Sequence, residues 1–173
     1  MEHIVVNKAS INDLESVKRI GRETFFETFA ESNSEDDMKA YLDKNFSDSK
    51  LTEELNNPDS DFFIAWEGKE AIGYLKLNTG KAQTELQNAV SIEIERIYVK
   101  QEYHGKKVGQ LLYEKALEIA RQMKKEFIWL GVWEENPKAI RFYEKNGFVA
   151  FDKHRFMLGE DEQTDILMKR TVD

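Results

Sequence analysis

The sequence contains no cysteine. Thiolate nucleophiles, disulfides and cysteine-bound zinc are therefore excluded together. Histidine is scarce: His3, His104 and His154 stand far apart and form no HExxH pattern, so no metal is expected. Proline occurs only at Pro58 and Pro137, and no repeat, low-complexity tract or Gly/Ser-rich stretch offers a linker. One domain over residues 1–173 is the expectation. No apolar run could span a bilayer or serve as a secretory h-region, and mean hydropathy is -0.64; a cytoplasmic protein with no membrane partner is expected. Positive charge is in deficit, with 25 Lys and Arg against 33 Asp and Glu, a net of -8. Proteins that grip phosphate by surface charge are basic, so no nucleic acid partner is expected and cationic partners such as amines move ahead.

What is present suffices for a core: 40% of residues are hydrophobic and 12% aromatic, which excludes disorder of the whole chain. A strand is predicted at residues 3–7. Ser10 stands three residues before Asp13 as a capping box, ahead of a helix carrying Leu14, Val17, Gly21, Thr24 and Thr28 at helical spacing, widened by Phe25 and Phe29. A second helical region covers residues 34–56, broken near Phe46-Ser47 and stopped by Asn57-Pro58. Strands 62–66 and 71–77 flank a turn, 78–89 reads as loop, and SIEIERIYVK at 91–100 is a β-branched, alternating strand.

From His104 to Met123 the period changes to that of a helix, with Val108, Leu111, Leu112, Ala116, Ile119, Ala120 and Met123 on one face. FIWLGVW at 127–133 is nearly continuous in apolar residues, as a strand covered on both faces requires. Asn136 caps the next helix, Pro137 opens it and Gly147 ends it. Strands 148–152 and 164–169 close the chain. The order predicts an α/β (α+β) fold: a mixed, twisted sheet of about seven strands flanked by about four helices. Residues 91–133 form a right-handed parallel crossover within it.

Chemistry concentrates where strand 91–100 hands over to its helix. The first amides of a helix lack internal partners and its dipole favours an anion there. Gly105 and Gly109 allow close backbone approach, while Lys106 and Lys107 add positive charge. This is a phosphate or pyrophosphate cradle, yet it matches neither GxxxxGK[ST] nor GxGxxG.

His104-Gly105-Lys106-Lys107-Val108-Gly109 resembles the pyrophosphate loop, [QR]xxGx[GA], of the GCN5-related N-acetyltransferases (GNAT). It follows Ile94-Glu95-Arg96-Ile97-Tyr98-Val99, similar to the family's LExIYV strand. Residues 136–148, NPKAIRFYEKNGF, match the pattern NxxAxxFYxxxGF at every named position. TFFETF, IERIYV, WLGVWEENPKAIRFYEKNGF and DEQTD are more narrowly similar to bacterial polyamine acetyltransferases of the PaiA type. Two loop positions depart from the pattern: His104 replaces Arg or Gln, and Lys107 replaces glycine.

The resemblance implies the GNAT fold with a splayed parallel strand pair, and an acetyl-CoA-dependent N-acetyltransferase, an enzyme acting by direct attack in a ternary complex without metal. Its acceptor would be a small-molecule primary amine, with a polyamine such as spermidine or spermine favoured, and its assembly a homodimer. Protein amino termini, lysines and drug amines are alternative acceptors, and a non-catalytic CoA-sensing module is the alternative from another class. The implied cofactor-binding residues are Ile97, Tyr98 and Val99 along the arm of CoA, and His104, Gly105, Lys106, Lys107, Val108, Gly109 and Gln110 at its pyrophosphate. Asn136, Tyr143 and Lys145 complete the set. Tyr143 is the implied general acid; without the motif it reads as a core aromatic. Glu95 or Glu93, on one strand face, is the implied base, and alignment with the family favours Glu95. Asp36, Asp37 and Glu31 are candidates for holding a second ammonium. His154 reads as a surface residue, and Trp129, Trp133, Phe25, Phe26 and Phe29 as core.

Overall fold

The computed structural model describes residues 3–173. Among them the chain forms β1 (Ile4–Lys8), α1 (Leu14–Phe29), α2 (Glu35–Asn45), α3 (Asp48–Asn56), β2 (Ser60–Glu67), β3 (Glu70–Asn78), β4 (Ser91–Val99), α4 (Val108–Gln122), β5 (Phe127–Trp133), α5 (Pro137–Lys145), β6 (Val149–Leu158) and β7 (Asp161–Thr171). The seven strands make one sheet in the order β1-β2-β3-β4-β5-β7-β6, and only β4 and β5 run parallel. Five helices flank it, because residues 34–56 form two: Ser34 caps α2 and Ser47 caps α3, each accepting from a backbone N–H three residues on. Ser10 and Asp13 form the reciprocal capping box, with the Ser10 N–H donating to Asp13 at 2.9 Å.

The sheet buries both faces. Ile92, Ile94, Leu75, Ile128 and Leu130 pack beneath Leu112 and Ala116 of α4. On the opposite face Phe62, Ile64 and Tyr74 meet Val17, Ile20, Phe25 and Phe29 of α1.

One irregularity decides the architecture. Along the β3–β4 ladder Lys76 pairs with Arg96 but Leu77 pairs with Ile94, so Glu95 is an extra residue on β4, a β-bulge. Strict alternation would send Arg96 to the α4 side with Ile94. The bulge turns it over, so that Arg96 reaches Glu54 of α3 while Ile97 and Val99 rejoin the α4 side. The parallel β4–β5 ladder runs from Ser91↔Phe127 to Ile94↔Leu130 and ends there, at the residue before the bulge. Beyond it the two strands diverge into a wedge.

The last two strands are longer than strands 148–152 and 164–169: they form a continuous hairpin whose turn holds Gly159 at φ 65. Residues 151–157 are mostly polar and exposed on both faces, so no burial period marks them as strand.

Candidate active site

The wedge opens into a cleft of about 1170 Å³ that crosses the molecule from the start of α4 to α1, α2 and the β6–β7 hairpin. Clefts for one small ligand run to roughly 1,000 Å³ at most, so this one has room for two substrates together.

The β4 lip is backbone. The Lys100 N–H bonds back to Ile72 of β3, and backbone direction alternates along an antiparallel strand. The N–H and C=O groups of Ile97 and Val99 therefore turn away from β3, into the wedge. His104 Nε2 donates to the Val99 carbonyl at 2.9 Å and so ties the following loop to the strand end. Its ring is part of the loop's own construction.

At the wedge mouth, α4 starts with its amides free. The first helical bond runs from Leu111 N–H to Lys107 C=O, and Lys106 N–H is taken by Tyr103. Among the described residues the N–H groups of Gly105, Lys107, Val108, Gly109 and Gln110 have no protein acceptor. Lys107 adopts φ 65, the left-handed region, and so does Gly105 at φ 82. This explains why glycine suits the Lys107 position: a side chain there costs about 1–2 kcal/mol. The loop keeps its shape, and the lysine lines the cleft. Lys106 instead lies over the Tyr103 ring, 5.2 Å from its centroid, and does not line the cleft.

The α5 side is built as the motif suggests. Asn136 caps the helix through Ala139 N–H, Pro137 follows, and Gly147 at φ 92 ends it. Tyr143 is buried, but its hydroxyl has no protein partner among the described residues and is not shut off from solvent, so it opens on the cleft. Burial pushes its pKa up. Asn136, Lys145 and Gln110 share the cleft wall, and Gln110 is bonded to Asn146, which joins α4 to α5.

The carboxylates of β4 are differently placed. Glu95 receives Lys76 at 2.7 Å, Asn78 at 2.8 Å and Arg96 at 3.3 Å; Glu54 closes the group, at 3.1 Å from Lys76 and 3.0 Å from Arg96. The four charges sum to zero. Burial works to raise the Glu95 pKa, but Arg96 and Lys76 outweigh it and hold it down to about 2. A carboxylate with every neighbour donating to it is a feeble proton acceptor, so the base role expected of Glu95 does not suit its surroundings. Glu93 is also occupied, by Thr84 N–H and Oγ1 and by Asn78; burial raises its pKa against those bonds.

The far end of the cleft has an aromatic wall. Phe25 stacks on Tyr41 with centroids 4.5 Å apart, and Phe29 meets Trp133 at 5.0 Å. Phe25 and Phe29 are thus both core and lining, whereas Phe26 is exposed. His154 is exposed, as the sequence reading has it, and its side chain also lines the cleft and pairs with Glu85. Asp36, Asp37 and Glu31 do not line it. The cleft is also lined by Glu53, Glu54 and Glu85, and by Asp165 of β7. Burial raises the Asp165 pKa to about 6, with His154 pulling the other way. In the sequence Asp165 ends the DEQTD segment and precedes the apolar run Ile166-Leu167-Met168.

Comparison with known proteins agrees with this geometry. Residues 21–148 match the model of the acetyltransferase (GNAT) family, and the chain belongs to that family. An uncharacterized N-acetyltransferase of Lactobacillus delbrueckii subsp. lactis is 39% identical over 172 residues, 99% of each chain. The spermidine N(1)-acetyltransferase of Thermoplasma acidophilum is 33% identical over 156 residues, covering 86% of this chain and 90% of that one. The crystal structure of the PaiA N-acetyltransferase of Thermoplasma acidophilum, a complex with coenzyme A, superposes with a TM-score of 0.80 at 29% identity over 98% of this chain and 99% of that one. The chain is an N-acetyltransferase with the GNAT fold, similar to the PaiA enzymes.

Proposed function

We propose that this N-acetyltransferase moves the acetyl group of its cosubstrate, acetyl-CoA, onto a primary amine of a polyamine, spermidine or spermine in type, by direct attack with both substrates bound. The observation that carries the reading is the wedge: β4 and β5 part after Ile94, next to a helix start with free amides. The polyamine rests on the similarity to the spermidine enzyme and on an aromatic wall suited to an alkylammonium.

In this proposal the amides of Gly105 and Lys107 to Gln110 hold the diphosphate, with His104 bracing the loop, Lys107 adding charge, and Asn136 and Lys145 on the opposite wall. Backbone groups of Ile97 and Val99, with Tyr98 between them, take the arm of the cosubstrate. One N–H there faces the thioester oxygen, a donor worth roughly 3 kcal/mol to the transition state. An alkylamine with a pKa near 10.4 must first lose a proton, at a cost of about 4.6 kcal/mol at pH 7. Its nitrogen then forms the C–N bond, the C–S bond breaks, and Tyr143 protonates the departing sulfur. Tyr143 remains protonated at neutral pH because burial raises its pKa further. Glu95 acts here as the anchor of the bulge.

Release of free thiol from acetyl-CoA over a panel of amines tests the proposal. Spermidine or spermine is expected to lead the panel, and Tyr143→Phe to lower turnover more than ~100-fold. Turnover unchanged in that variant removes Tyr143 from the mechanism. Saturable CoA binding by calorimetry with no thiol release for any amine overturns the catalytic reading in favour of a CoA sensor.

A further inference from the structure

Asp165 pairs across β7 with Trp133 of β5 on one side and His154 of β6 on the other. Residues directly opposite share a sheet face, and all three line the acceptor end of the cleft. His154 is engaged by Glu85 of the 79–90 segment. Among the described residues the Asp165 carboxylate has neither a hydrogen bond nor an ion pair, and His154 alone acts to lower its pKa. The neighbour on β5 is Gly131, where a β-carbon would stand 3.2 Å from Asp165 Oδ2. The missing side chain leaves the carboxylate open towards the wedge. Tyr98 of β4, Tyr41 of α2 and the proposed acid, Tyr143, line the same cleft.

The geometry points to Asp165 as the group that binds the acceptor's ammonium and takes its proton, a role that rests on the amine-acetylating reading above. A half-buried, unpaired carboxylate beside an aromatic wall is short of one cation, and an alkylammonium supplies it. The proton of R–NH3+ passes to the Asp165 carboxylate. The freed lone pair forms the C–N bond as the C–S bond breaks; sulfur takes its proton from Tyr143, which is restored by the second proton leaving nitrogen, and Asp165 returns the first to water. Burial supports the assignment, because a carboxylate with a pKa of about 6 is ionised at neutral pH and a better proton acceptor than Glu95. The titratable groups facing it are His154 on β6 with its partner Glu85, Tyr41 on α2 and Tyr98 on β4; Gly131 and Trp133 of β5 carry no charge.

The test compares wild type with Asp165→Asn and Asp165→Glu across pH 5–9 with spermidine as acceptor, alongside calorimetric binding of CoA. For wild type kcat/KM is expected to rise with pH through an inflection near 6, since the base must be ionised. Asp165→Asn is expected to lose ~100-fold in kcat/KM and the inflection with it, while CoA binding stays within about threefold, and Asp165→Glu to recover part of the rate. An active wild type whose Asp165→Asn variant keeps both rate and inflection overturns Asp165 alone. A wild type that binds CoA but acetylates no amine overturns this inference together with the function it rests on, and the two failures are thereby distinguishable.

Discussion

Two carboxylates face the same cleft from strands on opposite sides of the wedge, and the protein treats them oppositely. Glu95 is surrounded by Lys76, Arg96 and Asn78, with Glu54 balancing the charge. Asp165 is left beside a glycine and aromatic rings with no counter-charge of its own. Burial acts on both; only the donors differ. The comparison teaches that a carboxylate's distance from the reacting centre says little until its partners are counted, because a fully satisfied acid is part of the scaffold and an unsatisfied one is stored demand for a cation.

The largest effect that would break this contrast is on stability at the Glu95 end. Its folded pKa of about 2 lies below the ordinary 4.5, so its ionised form stabilises the fold above about pH 4.5 and that stabilisation is lost as pH falls towards 2. Glu95→Gln is therefore expected to cost about 3 kcal/mol at pH 7, leaving Lys76 and Arg96 undercompensated, and the deficit should close in acid. Urea unfolding at pH 7 and pH 3 measures it. Equal stability of the two proteins at pH 7 would mean that the cluster is not holding Glu95.

Asp165 should behave in the reverse sense. Its folded pKa is raised from 3.8 to about 6, so the ionised carboxylate destabilises the fold above about pH 6, and the penalty fades below about pH 4. Asp165→Asn is expected to gain about 1–2 kcal/mol at pH 7, discounted for partial exposure, while it loses activity. Gain in stability with loss of turnover is the mark of a residue kept for chemistry. A destabilised variant would place Asp165 with Glu95 among the structural acids.

The smallest expected effect lies at the other end of the cleft. Lys107→Gly relieves a left-handed side-chain position and should raise stability by about 1 kcal/mol, read as a rise in Tm. CoA affinity should change less than threefold, because the neighbouring amides remain in place.

Much of the cofactor side was legible in the sequence. The Asn136 cap, Pro137, Tyr143 and the Gly147 stop are consecutive signals of one short helix, and the free amides ahead of Val108 follow from a helix starting at a glycine-bearing loop. The acceptor side was not. The expected base, Glu95, is held by Lys76 and Asn78, 19 and 17 positions away, together with the adjacent Arg96, while His154 and Asp165 were brought to the cleft by a hairpin whose outer arm carries no burial period. The bulge at Glu95 also escaped, since alternation across SIEIERIYVK reads as an unbroken strand until β3 is laid beside it.

By itself the sequence determined the elements, their caps and turns, and the family to which they add up, because helix periods, strand alternation and capping are properties of residues a few places apart. Tertiary structure alone decided where β4 leaves β5, which acid is neutralised and which is left waiting. Those outcomes depend on partners distant along the chain, and the charge state of a carboxylate is set by whatever the fold happens to bring within a few ångströms of it.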